Sequence, residues 1–241
     1  MNVKLLNPEQ AKQLFKNWGE VAAVCYDTDT DFPEKIGKHC MNSGHTSGSR
    51  GDFIKFLVED VPRFTVDQAV RHSVGVFTNV RSFRYVGQEG FYYEVPVEIT
   101  DNQELLDKYS EFMNCASTMY GTIQDYVYSK TGSHERANEQ ARYVVPMATH
   151  TAFVIGFTVE AFIHFCNMRL CVRAEDTIRY MAQLMKKEVV EVLPELKPKL
   201  VPNCQAFLWC PEGAQSCHAY PTKKELKEMI SEYRELKKNE K

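Results

Sequence analysis

The chain is predicted to fold as α+β, a small antiparallel or mixed sheet followed by a predominantly helical C-terminal half. Two patterns predict it: short alternating segments cluster before residue 100, and long segments with apolar residues at helical spacing dominate after it. With 241 residues, 44% hydrophobic and 25% charged, the chain has the composition of an ordinary globular protein and enough length for a sizeable core. One domain over residues 1–241 is expected.

In order along the chain, Pro8 to Val24 reads as a first helix, with Ala11, Leu14, Phe15, Trp18 and Val21 at helical spacing. A polar loop, Asp27 to Lys38, leads to a short helix ending at Met41. Asn42 to Gly51 holds three glycines and four Ser or Thr residues and reads as a loop in which His45-Thr46-Ser47-Gly48 could face a ligand. Phe53 to Val61 reads as a strand, Phe64 to Val70 as a connecting helix, Val74 to Val86 as a second strand or irregular pair, and Phe91 to Ile99 as a third strand. Asp101 and Glu104 have capping-box spacing at the start of a long helix reaching about Tyr128, lined by Leu105, Leu106, Tyr109, Phe112, Met113, Ala116 and Tyr120. Thr131-Gly132-Ser133 breaks it. A helix carrying Ala137, Ala141 and Val144 ends at Pro146, Thr149 to Phe165 follows unassigned, and Ala174 to Val192 is helical again. Thr222 and Glu225 cap a final helix, 222–239, that docks through Leu226, Ile230 and Tyr233.

Charge and cysteine usage exclude several classes. A net charge of −3 provides no global basic field, so nucleic acid is not the expected partner. The longest apolar stretch, around Ala152 to Phe165, is interrupted by Glu160 and His164 and is too short to span a bilayer, so no membrane association is expected. Met1 to Leu6 has no signal-peptide character, and the eight cysteines are dispersed, which suggests free thiols in a reducing cytoplasm. Cys204, Cys210, Cys217 and His218 form a late cluster, but their spacings do not resemble short Cys-x-x-Cys knuckles, and no metal is expected.

The segment from Gln68 to Tyr85 is the chemically dense one. It carries three arginines, a histidine, two serines and two amides: Gln68, Arg71, His72, Ser73, Asn79, Arg81, Ser82 and Arg84. Guanidinium forks match phosphate oxygens bidentately, and hydroxyls and amides add hydrogen bonds, so the segment reads either as an anion site or as a salt-bridged surface.

The pattern Gln68-x-x-Arg71-His72, then Asn79-x-x-Ser82-x-Arg84-Tyr85, resembles the signature of the flavin-dependent thymidylate synthases. Three further segments agree in order: Gly44-His45-Thr46-Ser47; Ala141-Arg142-Tyr143-Val144-Val145-Pro146 followed by Thr151; and His164-Phe165-Cys166-Asn167-Met168-Arg169 with Ala174 and Ile178-Arg179. The resemblance covers about residues 20–195.

It implies an FAD enzyme that uses NADPH and methylenetetrahydrofolate as co-substrates and methylates C5 of a uridine monophosphate, with hydride from the flavin and no cysteine nucleophile. It also implies a homotetramer whose active sites draw on several subunits. By the same resemblance His45, Ser47, Arg71, His72 and Ser73 would contact FAD, joined by Asn167, Arg169 and Arg173. Gln68, Ser82 and Arg84 would contact the nucleotide, Arg84 at its phosphate. Arg179 would be the catalytic residue at the pyrimidine ring; its other reading is a helix salt bridge with Glu175 or Asp176.

The chain also departs from the family pattern. Arg71-His72-Ser73 stands where Arg-His-Arg is usual, and one extra residue falls between His72 and Asn79 and another between His45 and Gln68. Val80 and Phe83 replace the usual Glu and Gly around the nucleotide serine, and Ala152 takes a position that is commonly polar. These changes fit either an ordinary dUMP methylase or the UMP-methylating branch known from nucleoside-antibiotic biosynthesis. A regulatory, metal-binding protein without flavin is the distant alternative.

Overall fold

The computed structural model describes residues 1–28 and 31–239, with side chains through 237. Among them the elements are β1 (Asn2–Leu5), α1 (Pro8–Lys12), α2 (Leu14–Tyr26), α3 (Pro33–Asn42), β2 (Phe53–Pro62), α4 (Arg63–Ala69), β3 (Val76–Val80), α5 (Gln103–Thr131), α6 (His134–Ala141), β4 (His150–Thr158), α7 (Val159–Arg169), α8 (Asp176–Val192), α9 (Asn203–Phe207) and α10 (Lys223–Asn239). The four strands form one small antiparallel sheet and the C-terminal half is mostly helical, the α+β class expected. By backbone contacts the chain divides into two compact units.

The first unit, Met1–Lys4, Lys55–Ser73 and Phe77–Gly156, is built round the sheet, whose order is β1-β2-β4-β3. Strand β2 alternates as a half-buried strand should, with Phe56 and Val58 of this unit fully inside. The alternation breaks at Asp60, whose φ of 53° is left-handed, and Val61 and Pro62 are then both buried. Strand β4 is buried along nearly its whole length, as a central strand covered on both faces must be. Helix α5 starts on Asn102, whose side chain accepts from the Leu105 N–H at 3.1 Å, and ends on left-handed Gly132 (φ 65°). Its buried face is Met113, Ala116 and Tyr120, and the Tyr120 hydroxyl accepts from the Gln88 N–H at 3.0 Å.

The second unit, Leu5–Ile54, Val74–Val76 and Phe157–Lys241, is helical. Helices α2 and α3 meet backbone to backbone: a Cβ on Gly19 would lie 1.7 Å from the Pro33 carbonyl oxygen, and one on Gly37 would lie 1.9 Å from that of Phe15. A glycine inside a helix costs about 1 kcal/mol against alanine; here the close approach requires it. Trp18 is fully buried beside this contact. Helix α8 turns Ile178, Met181, Ala182, Met185 and Val189 inward, as its periodicity predicts. The capping box of α10 is complete: Thr222 Oγ1 accepts from the Glu225 N–H at 3.3 Å and a Glu225 carboxylate oxygen accepts from the Thr222 N–H at 2.6 Å.

Several expectations are corrected. Phe91 to Ile99 forms no strand, only an isolated bridge from Tyr93 to Thr149 and a 3-10 turn at Val97–Ile99. The second strand is confined to Val76–Val80, because the chain turns back after Arg81, with the Val86 N–H donating to the Ser82 carbonyl at 3.0 Å. Helix α3 starts at Pro33, inside the expected polar loop, of which residues 29 and 30 lie outside the described residues. The long helix is capped by Asn102 rather than Asp101, since the Asn102 side chain is the one that reaches a free N–H. The helix expected to carry Val144 stops at Ala141 and continues only as a 3-10 turn. Of the residues expected to dock the last helix, Leu226 is half-buried, while Ile230 and Tyr233 are exposed; residues 240 and 241 lie outside the described residues. The short β1 carried too few residues for its alternation to be read.

The α2–α3 contact makes a direct prediction. Gly37→Ala should lower the unfolding free energy by about 2–3 kcal/mol, because backbone rather than a flexible side chain must give way. Gly51→Ala, where nothing lies within 4 Å, should change it by less than about 0.5 kcal/mol. Chemical denaturation of both variants checks the pair.

Candidate active site

Three neighbouring strands bring together what the sequence keeps apart. Arg63 opens α4 at the end of β2, Arg81 and Ser82 follow the end of β3, and Arg142 and Tyr143 lead into β4. Because β4 lies between β2 and β3 and runs opposite to them, these three strand ends meet at one edge of the sheet. The Arg63 N–H donates to the Thr149 carbonyl at 2.9 Å and the Arg81 N–H to the Ala152 carbonyl at 2.9 Å, which ties both arginine backbones to the β4 segment.

The result is a cavity of about 600 Å3 in the first unit, lined by Arg63, Arg81, Ser82 and Arg142 on its polar side and by Val80, Phe83 and Tyr143. Arg63 is partly compensated, with Asp67 at 3.4 Å and its guanidinium 5.7 Å from the centre of the Phe83 ring. Among the described residues neither Arg81 nor Arg142 has an ion-pair partner. Guanidiniums gathered without matching carboxylates define an anion site. No cysteine lines it.

Of the residues expected to hold nucleotide, Ser82 lines this cavity and its Oγ accepts from the Arg84 N–H at 3.3 Å. The Arg84 guanidinium is paired with Glu135 at 2.6 Å and lies 4.0 Å from Glu139. Gln68 is half-buried on α4, and Arg71, His72 and Ser73 follow that helix, with His72 half-buried and the other two exposed. Arg63 carried no signal in the sequence. Arg142 did, as part of the Ala-Arg-Tyr stretch before Pro146, but its role appears only once the strand order is known.

The second unit holds its own cavity, of about 770 Å3. Its walls are largely apolar, including Phe53, Val74, Ala161 and Ile163, with His164 and Asn167 as polar groups. At its rim Arg50 pairs with Glu160 at 3.0 Å. Left-handed Gly75 (φ 68°) is needed here: its carbonyl accepts from the Thr158 N–H at 2.8 Å, and a Cβ would meet Thr158 Oγ1 at 2.6 Å. The loop with His45 and Ser47 is fixed by Trp18, whose indole N–H donates to the His45 carbonyl at 3.0 Å and whose ring allows no side chain at Gly48. The Asn167 side-chain N–H groups donate to the Val201 carbonyl at 2.5 Å and the Lys199 carbonyl at 3.3 Å, which leaves its carbonyl oxygen as an acceptor.

The other expected contacts are held differently. Arg169 closes α7, half-buried. Arg173 donates to the Gln215 carbonyl at 3.1 Å with Glu212 at 3.6 Å, away from this cavity's lining. Arg179 sits in the first turn of α8, where it donates to the Val172 carbonyl at 2.9 Å and to Asp176 at 2.5 Å. The salt bridge raised as its other reading is therefore formed, with Asp176, yet it leaves some of the five guanidinium N–H groups for another acceptor. Cys166 is buried on α7, and burial pushes its thiol far above the ordinary range, so it is no nucleophile.

Comparison with known proteins identifies the family. Residues 9–195 match the family model described as thymidylate synthase complementing protein. A flavin-dependent thymidylate synthase of Nitratidesulfovibrio vulgaris is 33% identical over 187 residues, 77% of this chain and 76% of that one. Those of Clostridium tetani and Thermococcus onnurineus are 31% and 28% identical over 234 and 233 residues, covering 90% and 88% of this chain and 93% and 90% of theirs. No helix among the described residues is long and apolar enough to cross a membrane. With the family model spanning most of its length, the chain belongs to the thymidylate synthase complementing protein family.

Proposed function

We propose that the chain is a single catalytic domain that methylates C5 of a uridine monophosphate, with FAD as cofactor and methylenetetrahydrofolate and NADPH as co-substrates, working in the cytoplasm as a homotetramer. The observation that supports this reading most directly is the cavity where Ser82 meets the guanidiniums of Arg63, Arg81 and Arg142 with no cysteine in its lining. That is a phosphate pocket without a thiol nucleophile, the combination a flavin-dependent route to thymidylate needs.

In this reading Arg81 and Arg142, with Arg63, hold the substrate phosphate, and Ser82 donates to the nucleotide. Gln68 and Arg84 keep the nucleotide contacts implied by the family motif, Arg84 by exchanging Glu135 for phosphate oxygen. FAD fits the second unit's cavity by size and chemistry: its apolar walls suit a planar ring, Asn167 and His164 suit the ring's polar edge, and the His45–Ser47 loop and Arg169 supply further donors. Arg71, His72, Ser73 and Arg173 are assigned to the cofactor by the family motif alone. When bound, FAD carries hydride from NADPH to the substrate. The chain's part is to position and to stabilise charge. Arg179 does so at the pyrimidine, where a guanidinium favours electron density building on the ring as C5 attacks.

Val80 and Phe83, where the family usually has Glu and Gly, line the phosphate cavity itself. Because these departures cluster round the nucleotide serine, where recognition of the sugar would be altered, this reading has the pocket accept UMP as well as dUMP. The names of the relatives favour the other reading, an ordinary dUMP-only thymidylate synthase.

Tritium release from C5-labelled dUMP and UMP, assayed in parallel with FAD, NADPH and methylenetetrahydrofolate, tests both readings. Release from both is expected; release from dUMP alone supports the narrower enzyme, and release from neither removes the methylase assignment. Arg142→Ala should raise the KM for the nucleotide about 10- to 100-fold, the cost of one charge-assisted phosphate contact, with flavin content unchanged. Arg179→Ala should cut turnover at least about 100-fold with flavin still bound. Arg71→Ala should instead lower the flavin absorbance per chain.

A further inference from the structure

A separate small cavity in the second unit, of about 70 Å3, is lined by four cysteines: Cys171 in the α7–α8 loop, Cys204 on α9, and Cys210 and Cys217 beyond it. Half of the chain's eight cysteines thus face one volume. At roughly 30 Å3 per water molecule, the space suits an ion and its ligands rather than an organic cofactor. Cys210 is buried, Cys171 and Cys204 are intermediate and Cys217 is exposed, and none is in a disulfide.

The surrounding backbone needs a staple. From residue 202 to 222 only Cys210 is buried, so this stretch has almost no apolar core of its own. It nevertheless follows a tightly turned path, with Leu208 (φ 60°), Gly213 (φ 55°) and His218 (φ 61°) all left-handed, two of them without the freedom of glycine. These turns stand two residues before Cys210 and immediately after Cys217. Arg173 also lines the cavity, oriented by the Gln215 carbonyl and paired at 3.6 Å with Glu212, which lines it too, so a guanidinium and a carboxylate both stand beside the thiols.

We infer that Cys171, Cys204, Cys210 and Cys217 form a structural site for one thiophilic divalent cation of the zinc type, which ties residues 202–222 to the α7–α8 loop. Four thiols give up four protons and bind one M2+ tetrahedrally, with sulfur at about 2.3 Å, leaving a doubly negative cluster toward which the Arg173 guanidinium can turn from Glu212. Among the described residues no group of three or more His, Cys, Asp or Glu side chains stands where it could hold a metal ion, so binding requires the four thiols to move toward one another. The expectation of no metal was drawn from the spacing of the last three cysteines; Cys171, from a different helix connection, supplies the missing fourth ligand. In a reducing compartment such a set is better suited to metal than to disulfides.

The test is the metal content of the whole chain, purified with thiol reductant from zinc-supplemented cells and measured by inductively coupled plasma mass spectrometry. Close to one zinc per chain is expected, with tetrahedral thiolate bands in the visible spectrum after exchange for cobalt. The double variant C204S/C210S should lose the metal at least about tenfold, whereas C25S/C115S, which changes two exposed cysteines elsewhere, should keep it. Should the first variant fail to fold, C171S and C217S are read singly, and removal of metal from the unaltered chain by a chelator should lower its melting temperature. A metal-free chain, zinc retained in C204S/C210S or in both single variants, or a peptide map with a disulfide among the four overturns the site.

Discussion

The candidate phosphate site depends on one constraint, the place of β4 between β2 and β3. Residues 63, 81 and 142 are far apart in the chain, and nothing local draws three cations together; their mutual repulsion opposes it. The hydrogen bonds from Arg63 to Thr149 and from Arg81 to Ala152 belong to the β4 segment, and the burial of β4 on both faces holds that segment where it is. The energy that assembles the cations comes from the sheet's apolar faces. This is how a scaffold can maintain an electrostatically unfavourable cluster of cations ready for an anion.

The second unit solves a different problem, how to present a glycine-rich loop without letting it wander. The two glycines of α2 and α3 let the helices approach backbone to backbone, Trp18 fills the core beside them, and its indole N–H takes up the His45 carbonyl. Burial of a side chain of that size is worth about 1.5–3 kcal/mol or more, far above the roughly 1 kcal/mol of the single hydrogen bond. Packing therefore holds the loop and the hydrogen bond sets its register. The His45 and Ser47 side chains are left exposed, outside that packing, where a ligand can reach them.

Charge pairing separates the arginines by their surroundings. Arg84, Arg173 and Arg179 each rest on a carboxylate or a carbonyl, whereas Arg81 and Arg142 face the cavity without an ion-pair partner among the described residues. An arginine already paired must trade a partner to bind phosphate, and the exchange returns only the difference between two charge-assisted bonds. An unpaired one gains the whole interaction.

The class of the fold, most of the helices and the family motifs were legible because each is local: α8 repeats with helical period, Thr222 and Glu225 sit at capping-box spacing, and Gln68 to Arg84 is dense in phosphate-binding groups. Phe91 to Ile99 misled because apolar alternation describes a face to be covered and does not say whether a neighbouring strand exists to pair with it. The polar segment before Lys38 misled in the opposite sense, since α3 starts at Pro33 and the face it buries holds Gly37, Cys40 and Met41, too few apolar residues to mark a helix. Arg63 had no local signal at all, and Cys171 looked isolated from the later cysteines. Residue chemistry and short-range periodicity are written in the order of the chain, but which arginines share a cavity, and which cysteines do, depends on strand order and helix packing, where contacts are made between residues that the chain keeps far apart.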